Sequence, residues 1–510
     1  MCFGVAFFLV YSGYINVRTA IQSPKEIILK RDKNFPSQFD SQPDSKFSPF
    51  ITVAANPSVK DIFFKSTVLN LETLLNIKLA ASKPLDVTAV TPTGRVYAWN
   101  KAEGLKKFPK TELPCTAYPA LYDLNLDGIP DIVIQASDSR LYIVDGKSGE
   151  ILYKSDILGQ QAYSSPVVCS PKKGALADIF TCTQNGLVNF ISKPLNNPKV
   201  VSEKIDGNVF ASPVLTCKRN KAELNILSVT GKFYTYDAVS FKLIDKLDIR
   251  ELTGINNLNI SATPAIGDIN GDGKDDIIVI SNEEYVIAID KSGKKLIWKP
   301  LTLEEKPFSG FTGLYPSCVL SDIDGDKILD IVALSSKGKL YGIKGTTGDV
   351  LLQFDSGAQV NMSGSPALAD INKDGTNEII FGTEKGELYI LNFSNAQKDN
   401  MQLYYGKLFN KPITNTPVVL DADADGYIDI IVSALDGSAA LMKSNVPTFS
   451  GYVYWPTFQG SQDHPGHRSN GLKTIFILNI AVIISGIFYI IAFGVSVLFR
   501  KSKRRISWIG

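Results

Sequence analysis

Residues 268–298 read DINGDGKDDIIVISNEEYVIAIDKSGKKLIW. An acidic loop, DINGDGKDD (268–276), runs straight into an apolar stretch, and a turn then leads to a second strand, EYVIAID (284–290). The stretch Asp-Ile-Ile-Val-Ile is too short for a helix and rich in β-branched residues, the pattern of a buried strand. The unit recurs along the chain. Its first strand begins near Asp86, Asp131, Asp178, Asn225, Asp276, Asp330, Glu378 and Asp429, about 49 residues apart. Its second strand reads GRVYAWN (94–100), SRLYIVD (139–145), GLVNFIS (186–192), GKFYTYD (231–237), EYVIAID (284–290), GKLYGIK (338–344), GELYILN (386–392) and GSAALMK (437–443). Upstream of most units stands a small residue before proline, as in Ser165-Pro166, Ser212-Pro213, Thr263-Pro264, Ser365-Pro366 and Thr416-Pro417, with Tyr118-Pro119 and Tyr315-Pro316 expected in the same place.

A unit of this length holds roughly four strands, and one four-stranded sheet cannot bury both of its faces. Packing such sheets radially around an axis buries them and leaves only short edges. The reading is therefore all-β: an eight-bladed β-propeller over residues 51–458, with seven blades the alternative and an open solenoid sharing the same signature. Residues 51–56, or a final strand near Tyr452–Trp455, are expected to close the ring. The stretch 66–79, STVLNLETLLNIKL, has a helical pattern.

Five units carry an acidic loop of fixed form: DLNLDGIPD (123–131), DINGDGKDD (268–276), DIDGDKILD (322–330), DINKDGTNE (370–378) and DADADGYID (421–429). Carboxylate or amide oxygens fall at positions 1, 3, 5 and 9. These are Asp123, Asn125, Asp127 and Asp131; Asp268, Asn270, Asp272 and Asp276; Asp322, Asp324, Asp326 and Asp330; Asp370, Asn372, Asp374 and Glu378; and Asp421, Asp423, Asp425 and Asp429. Ca²⁺ takes six to eight hard oxygen ligands. Three or four acids within so few residues repel one another unless a cation neutralises them. Polar turns satisfying their own backbone are the plainer reading of any one loop, but repetition in register with the strands favours Ca²⁺. In the third loop Lys327 replaces the expected glycine, and its ammonium is expected to weaken that site. The units at 165–192 and 212–237 lack the loop and are expected to bind no metal.

The 510 residues are 44% hydrophobic and 20% charged, enough for a large core. The net charge is +2, and Arg500, Lys501, Lys503, Arg504 and Arg505 crowd the end. The body carries no basic surface, so nucleic acid is not expected as a partner. Residues 475–499 hold no charge and as a helix would extend roughly 37 Å, the length of a membrane span. Basic residues after a span stay cytoplasmic. The expectation is a single-pass, type I membrane protein: a signal-like segment 1–22, a linker 23–50, the propeller outside, a juxtamembrane linker 459–474, the span, and a cytoplasmic tail 500–510. A tail-anchored protein is the alternative. The body's cysteines, Cys115, Cys169, Cys182, Cys217 and Cys318, fit no metal spacing and read as buried thiols, although Cys169 and Cys182 could pair. Asp463, His464 and His467 read as part of a solvated spacer.

The five loops resemble the FG-GAP (VCBS-type) repeats of integrin α-subunit propellers. That resemblance implies Ca²⁺ on one face of the propeller, held by the loop residues named above, and the layout resembles type I membrane proteins of that kind. A second resemblance overlaps it. IVDGKSGEILY (143–153), AIDKSGKKLIW (288–298) and GIKGTTGDVLLQF (342–354) are similar to the tryptophan-docking repeat of quinoprotein-type propellers, which implies packing between blades and no cofactor. WPTFQGSQDHPGHRS (455–469) resembles a stretch found beside bacterial propellers.

The function expected is a calcium-binding interaction or adhesion module engaging an extracytoplasmic protein or glycan. An assembly scaffold for envelope or secretory proteins is the alternative, and a quinoprotein-type enzyme a third. The only histidines are His464 and His467 and no nucleophile motif stands out, so catalysis is not expected.

Overall fold

The computed structural model describes residues 28–37, 50–53, 87–447 and 453–455, apart from breaks at 92–94, 101–103, 109–114, 116, 128, 170–176, 219–220, 305–314, 359–363, 373–375, 393–401, 424 and 426. Strands among the described residues form eight antiparallel sheets. The second sheet is typical: Ala120–Tyr122, Asp131–Gln135, Leu141–Val144 and Ile151–Lys154 pair in chain order. The first sheet starts at Phe50–Val53, and the third to seventh start at Val167–Cys169, Val214–Lys218, Ala265–Gly267, Val319–Ser321 and Ala367–Ala369.

The first strand of each sheet lies against the first strand of the next. The circuit closes where Val418–Leu420 of the eighth sheet meets Phe50–Val53, which in turn meets Ala120–Tyr122. Apolar clusters fill the gaps between neighbouring sheets. One joins Ile278, Ile280 and Ala288 to Leu320, Ile331 and Tyr341, and another joins Ala89, Tyr97 and Trp99 to Val418, Ile431 and Leu441. Inner strands are therefore buried on both faces, as Asp276–Ile280 and Asp330–Leu334 are throughout. Outer strands such as Lys199–Lys204 face solvent.

The residues before proline form a belt around the centre. The backbone N–H of Tyr118 donates to Ser165 Oγ, Ser165 to Ser212 Oγ, Ser212 to Thr263 Oγ1, Thr263 to Ser317 Oγ, Ser317 to Ser365 Oγ, and Ser365 to Thr416 Oγ1. Thr416 N–H donates to the Tyr118 hydroxyl at 2.8 Å, which completes the cycle. In the sixth sheet the belt residue is Ser317, two positions after the expected Tyr315-Pro316. The register explains this, because Ser317 stands two residues before the strand Val319–Ser321, as Thr263 does before Ala265–Gly267.

The docking pattern also takes form. Trp298 of the fifth sheet lies on Gly348 in a turn of the sixth, where an added Cβ would come within 2.6 Å of the indole, and its Nε1 donates to Gly345 O at 2.9 Å. Phe108 packs on Gly149 in the same manner.

Two expectations are corrected. Leu29–Arg31, inside the segment expected as a linker (23–50), pairs with Ala439–Pro447 and completes the eighth sheet. Val453–Trp455 pairs instead with Ala367–Ala369 of the seventh. Membrane placement is the second. No helix among the described residues is long and apolar enough to cross a membrane, which overturns the type I single-pass arrangement. The one described helix, Ile249–Thr253, has five residues and extends only about 8 Å. Residues 475–499 lie outside the described residues, as do 1–22, the stretch 66–79, the linker 459–474 with Asp463, His464 and His467, and the tail 500–510. Cys115, Cys169, Cys182 and Cys318 are buried.

Candidate metal loops

All five acidic loops connect the first strand of a sheet to its second, in the second, fifth, sixth, seventh and eighth sheets. Because every sheet runs the same way around the circuit, the loops share one face of the ring. The turn from third to fourth strand emerges on that face too, beside the loop.

Position 9 is the clasp. Asp131, Asp276, Asp330, Glu378 and Asp429 are each buried at the start of the second strand. Their carboxylates accept N–H bonds from the loop's second residue: Leu124 at 2.9 Å, Ile269 at 3.1 Å, Ile323 at 2.9 Å, Ile371 at 2.6 Å and Ala422 at 3.0 Å. The extra methylene of Glu378 is accommodated without loss of this bond. Position 1 gathers the loop's turn. Asp268 accepts from Gly271 and Gly273, and Asp322 from Gly325 and Lys327. Lys327 thus adopts the left-handed backbone of the missing glycine, with φ 73° against 82° at Gly273.

Burial pushes the Asp131 carboxyl up to about 6 and that of Asp276 up to about 7, the latter helped by Asp268, Asp272 and Asp290. Burial, with Asp423, Asp421 and Asp425 nearby, pushes Asp429 up to about 8. Asp330 is raised by burial as well. Asp429 Oδ1 is buried with no hydrogen-bond partner among the described residues. A buried carboxylate oxygen left in that condition calls for a cation or a proton.

The oxygens come together unequally. Single carboxylate oxygens of Asp322, Asp324 and Asp330, and of Asp421, Asp423 and Asp425, lie within 4.8 Å of one another. Among the described residues no other such group includes loop acids. Asp374 of the fourth loop lies outside the described residues.

A second set of residues, not singled out by motif, faces these loops across the sheet. Asp429 is the direct cross-strand partner of Lys443. By the same register Asp131 stands opposite Asp145, Asp276 opposite Asp290, Asp330 opposite Lys344, and Glu378 opposite Asn392. Lys344 binds the carboxylates of Asp324 and Asp326. Lys443 binds Asp423 and Asp425, each at 2.5 Å. Hydrogen bonds to Asp324 and Asp326 raise the Lys344 ammonium above its usual range. Lys443 is raised too, its bonds to Asp423 and Asp425 outweighing the opposing effect of burial. The signal for these residues was in the sequence, as the last letter of each aligned second strand: D, D, K, N and K.

The donor set fits a hard divalent cation in chemistry, being carboxylate and amide oxygens on a tight loop. In the second loop Asp268 and Asp272 accept backbone N–H groups of the loop itself. In the third and fifth loops a lysine reaches the acids at positions 3 and 5.

Residues 268–333 match the FG-GAP-like repeat family, which takes in the second acidic loop and reaches past the third. No curated protein matches the chain in sequence. Two solved structures share the fold. BamB from Moraxella catarrhalis is 13% identical with a TM-score of 0.51, over 72% of this chain and 98% of its own. Sqt1 from Saccharomyces cerevisiae is 10% identical with a TM-score of 0.56, over 81% of this chain and 99% of its own. With its ring of four- and five-stranded sheets, the protein is an all-β chain of propeller fold whose residues 268–333 match the FG-GAP-like repeat.

Proposed function

We propose that this protein is an eight-bladed propeller that binds Ca²⁺ in acidic loops on one face and acts, without catalysis, as an interaction module for a protein or glycan partner. The observation that carries the reading is the repeated loop architecture: five loops at one corner of their sheets, each held by a buried position-9 carboxylate. The eight sheets and the closed circuit of first strands support the blade count. Asp123, Asn125, Asp127 and Asp131, and Asp268, Asn270, Asp272 and Asp276, would hold the ion in the first two loops. A bound cation would replace carboxylate repulsion with attraction and stiffen the face. Loops presented from a rigid scaffold suit recognition.

The test is the melting temperature of the full chain against Ca²⁺, with and without chelator. A ligand at 100 times its Kd adds roughly 2.7 kcal/mol per site. A rise that shrinks in Asp268→Ala/Asp272→Ala is the expected result; no rise up to millimolar Ca²⁺ removes calcium from the proposal. For the interaction role, the labelled chain is applied to protein and glycan arrays in Ca²⁺ and in chelator. Calcium-dependent capture is expected, and none in either condition rejects the module reading.

A further inference from the structure

The five loops vary at two places that touch in the first, third and fifth of them. At position 3 they carry Asn125, Asn270, Asp324, Asn372 and Asp423. Opposite position 9 they carry Asp145, Asp290, Lys344, Asn392 and Lys443. The two places change together: a carboxylate at position 3 occurs with a lysine across the strand, and an amide with Asp or Asn. The contacts give the reason. Asn125 Nδ2 donates to Asp145 Oδ2 at 3.0 Å, which an aspartate at 125 could not do without setting two carboxylates against each other. Asp324 and Asp423 instead receive the ammonium of Lys344 and Lys443. Each ammonium also reaches position 5, at Asp326 and Asp425, so it bridges two side chains expected to face a metal.

Lys443 is held further. Its side chain is three-quarters covered and its Nζ also lies 4.0 Å from Asp32, which follows the closing strand Leu29–Arg31. A lysine tethered by its own strand has a very high effective concentration at the loop, against which a free ion must compete. The two loops whose acids converge are the two that own a lysine.

We propose that the loops are of two kinds: those of the sixth and eighth sheets are closed by an internal cation, Lys344 or Lys443, and take up no metal, whereas those of the second and fifth sheets are divalent-cation sites. The lysines place a permanent, metal-independent clamp on one part of the ring and leave calcium sensitivity to the rest. This rests on the calcium reading for the metal-binding loops but not for the lysine-closed ones.

The test is the number of Ca²⁺ ions bound per full chain, by equilibrium dialysis, together with melting in chelator. Lys344→Met/Lys443→Met is expected to bind two ions more than wild type. The double variant should melt lower than wild type in chelator and recover in Ca²⁺. The reverse variant, Asn125→Asp/Asp145→Lys, builds the lysine pair into the first loop and should bind one ion fewer than wild type; it decides the matter should the methionine variant fail to fold. Five ions on wild type, or equal counts in wild type and both variants, overturn the proposal. Binding by the methionine variant alone keeps the lysine clamp and rejects the calcium reading of the other loops. No binding by any form rejects both.

Discussion

At Gly348 the backbone has φ +79° and the Trp298 indole covers the position where a Cβ would stand. An L-residue in that conformation costs roughly 1–2 kcal/mol before any clash. Gly348→Ala should therefore destabilise by about 2 kcal/mol or more once the ring is displaced, read as a lower urea midpoint with an unchanged slope. Trp298→Ala should lose a similar amount, since it removes both the packing and the bond to Gly345 O. The two should be strongly non-additive in a double-mutant cycle, because each acts through the same contact. The glycine and the aromatic were both readable as motif letters. Their meeting across two sheets was not, because the two stand 50 positions apart with no local sign of the contact.

Between strands, the hydroxyl belt ties the first strands of the second to eighth sheets into one cycle. Ser212 is buried and accepts the Ser165 N–H at 2.8 Å. Ser212→Ala leaves that donor buried without its partner, a loss of about 1–3 kcal/mol, whereas Ser212→Thr should retain the bond as Thr263 and Thr416 do. Thermal melting of the pair checks this: equal losses would mean the belt contributes nothing. The small-residue–Pro pairs were visible in the sequence as punctuation. Their role as acceptors was not, since a hydroxyl before proline reads equally as a turn residue. The acidic loops divide in the same way. Their oxygen spacing is written in consecutive residues, while the lysine that meets two of them arrives from a neighbouring strand.

Over the whole molecule, closure depends on a strand from near the N-terminus. Leu29–Arg31 covers the edge of Ala439–Pro447, and Ile28 N–H donates to the Asn445 side chain. Deleting residues 1–37 should open that edge, lower the melting temperature and promote association through the exposed strand; size-exclusion chromatography reads the second effect. The metal-free ring should also respond to pH. Asp131, Asp276 and Asp429 have folded-state values of about 6, 7 and 8, raised first by burial above the 3.8 of an ordinary carboxyl. Raised values favour the protonated fold, so their contribution is fully present below about 4 and is lost as pH climbs from about 4 to 8. In chelator the melting temperature should fall across that window, and saturating Ca²⁺ should flatten the fall for the loops that bind it. A rise with pH in chelator would mean these carboxylates are not held in the buried environment described.

The strand repeat, its period and the oxygen pattern of the loops are legible in the chain, because they follow from alternation, turn chemistry and spacing within a few residues. Long-range contacts lie beyond that reach: the strand Leu29–Arg31 that completes the eighth sheet, Ser317 in the belt, and the ammonium of Lys344 or Lys443 within an acidic loop. Those contacts depend on register and on charge balance between chain segments far apart in sequence, where a one-residue slip would turn each side chain to the opposite face.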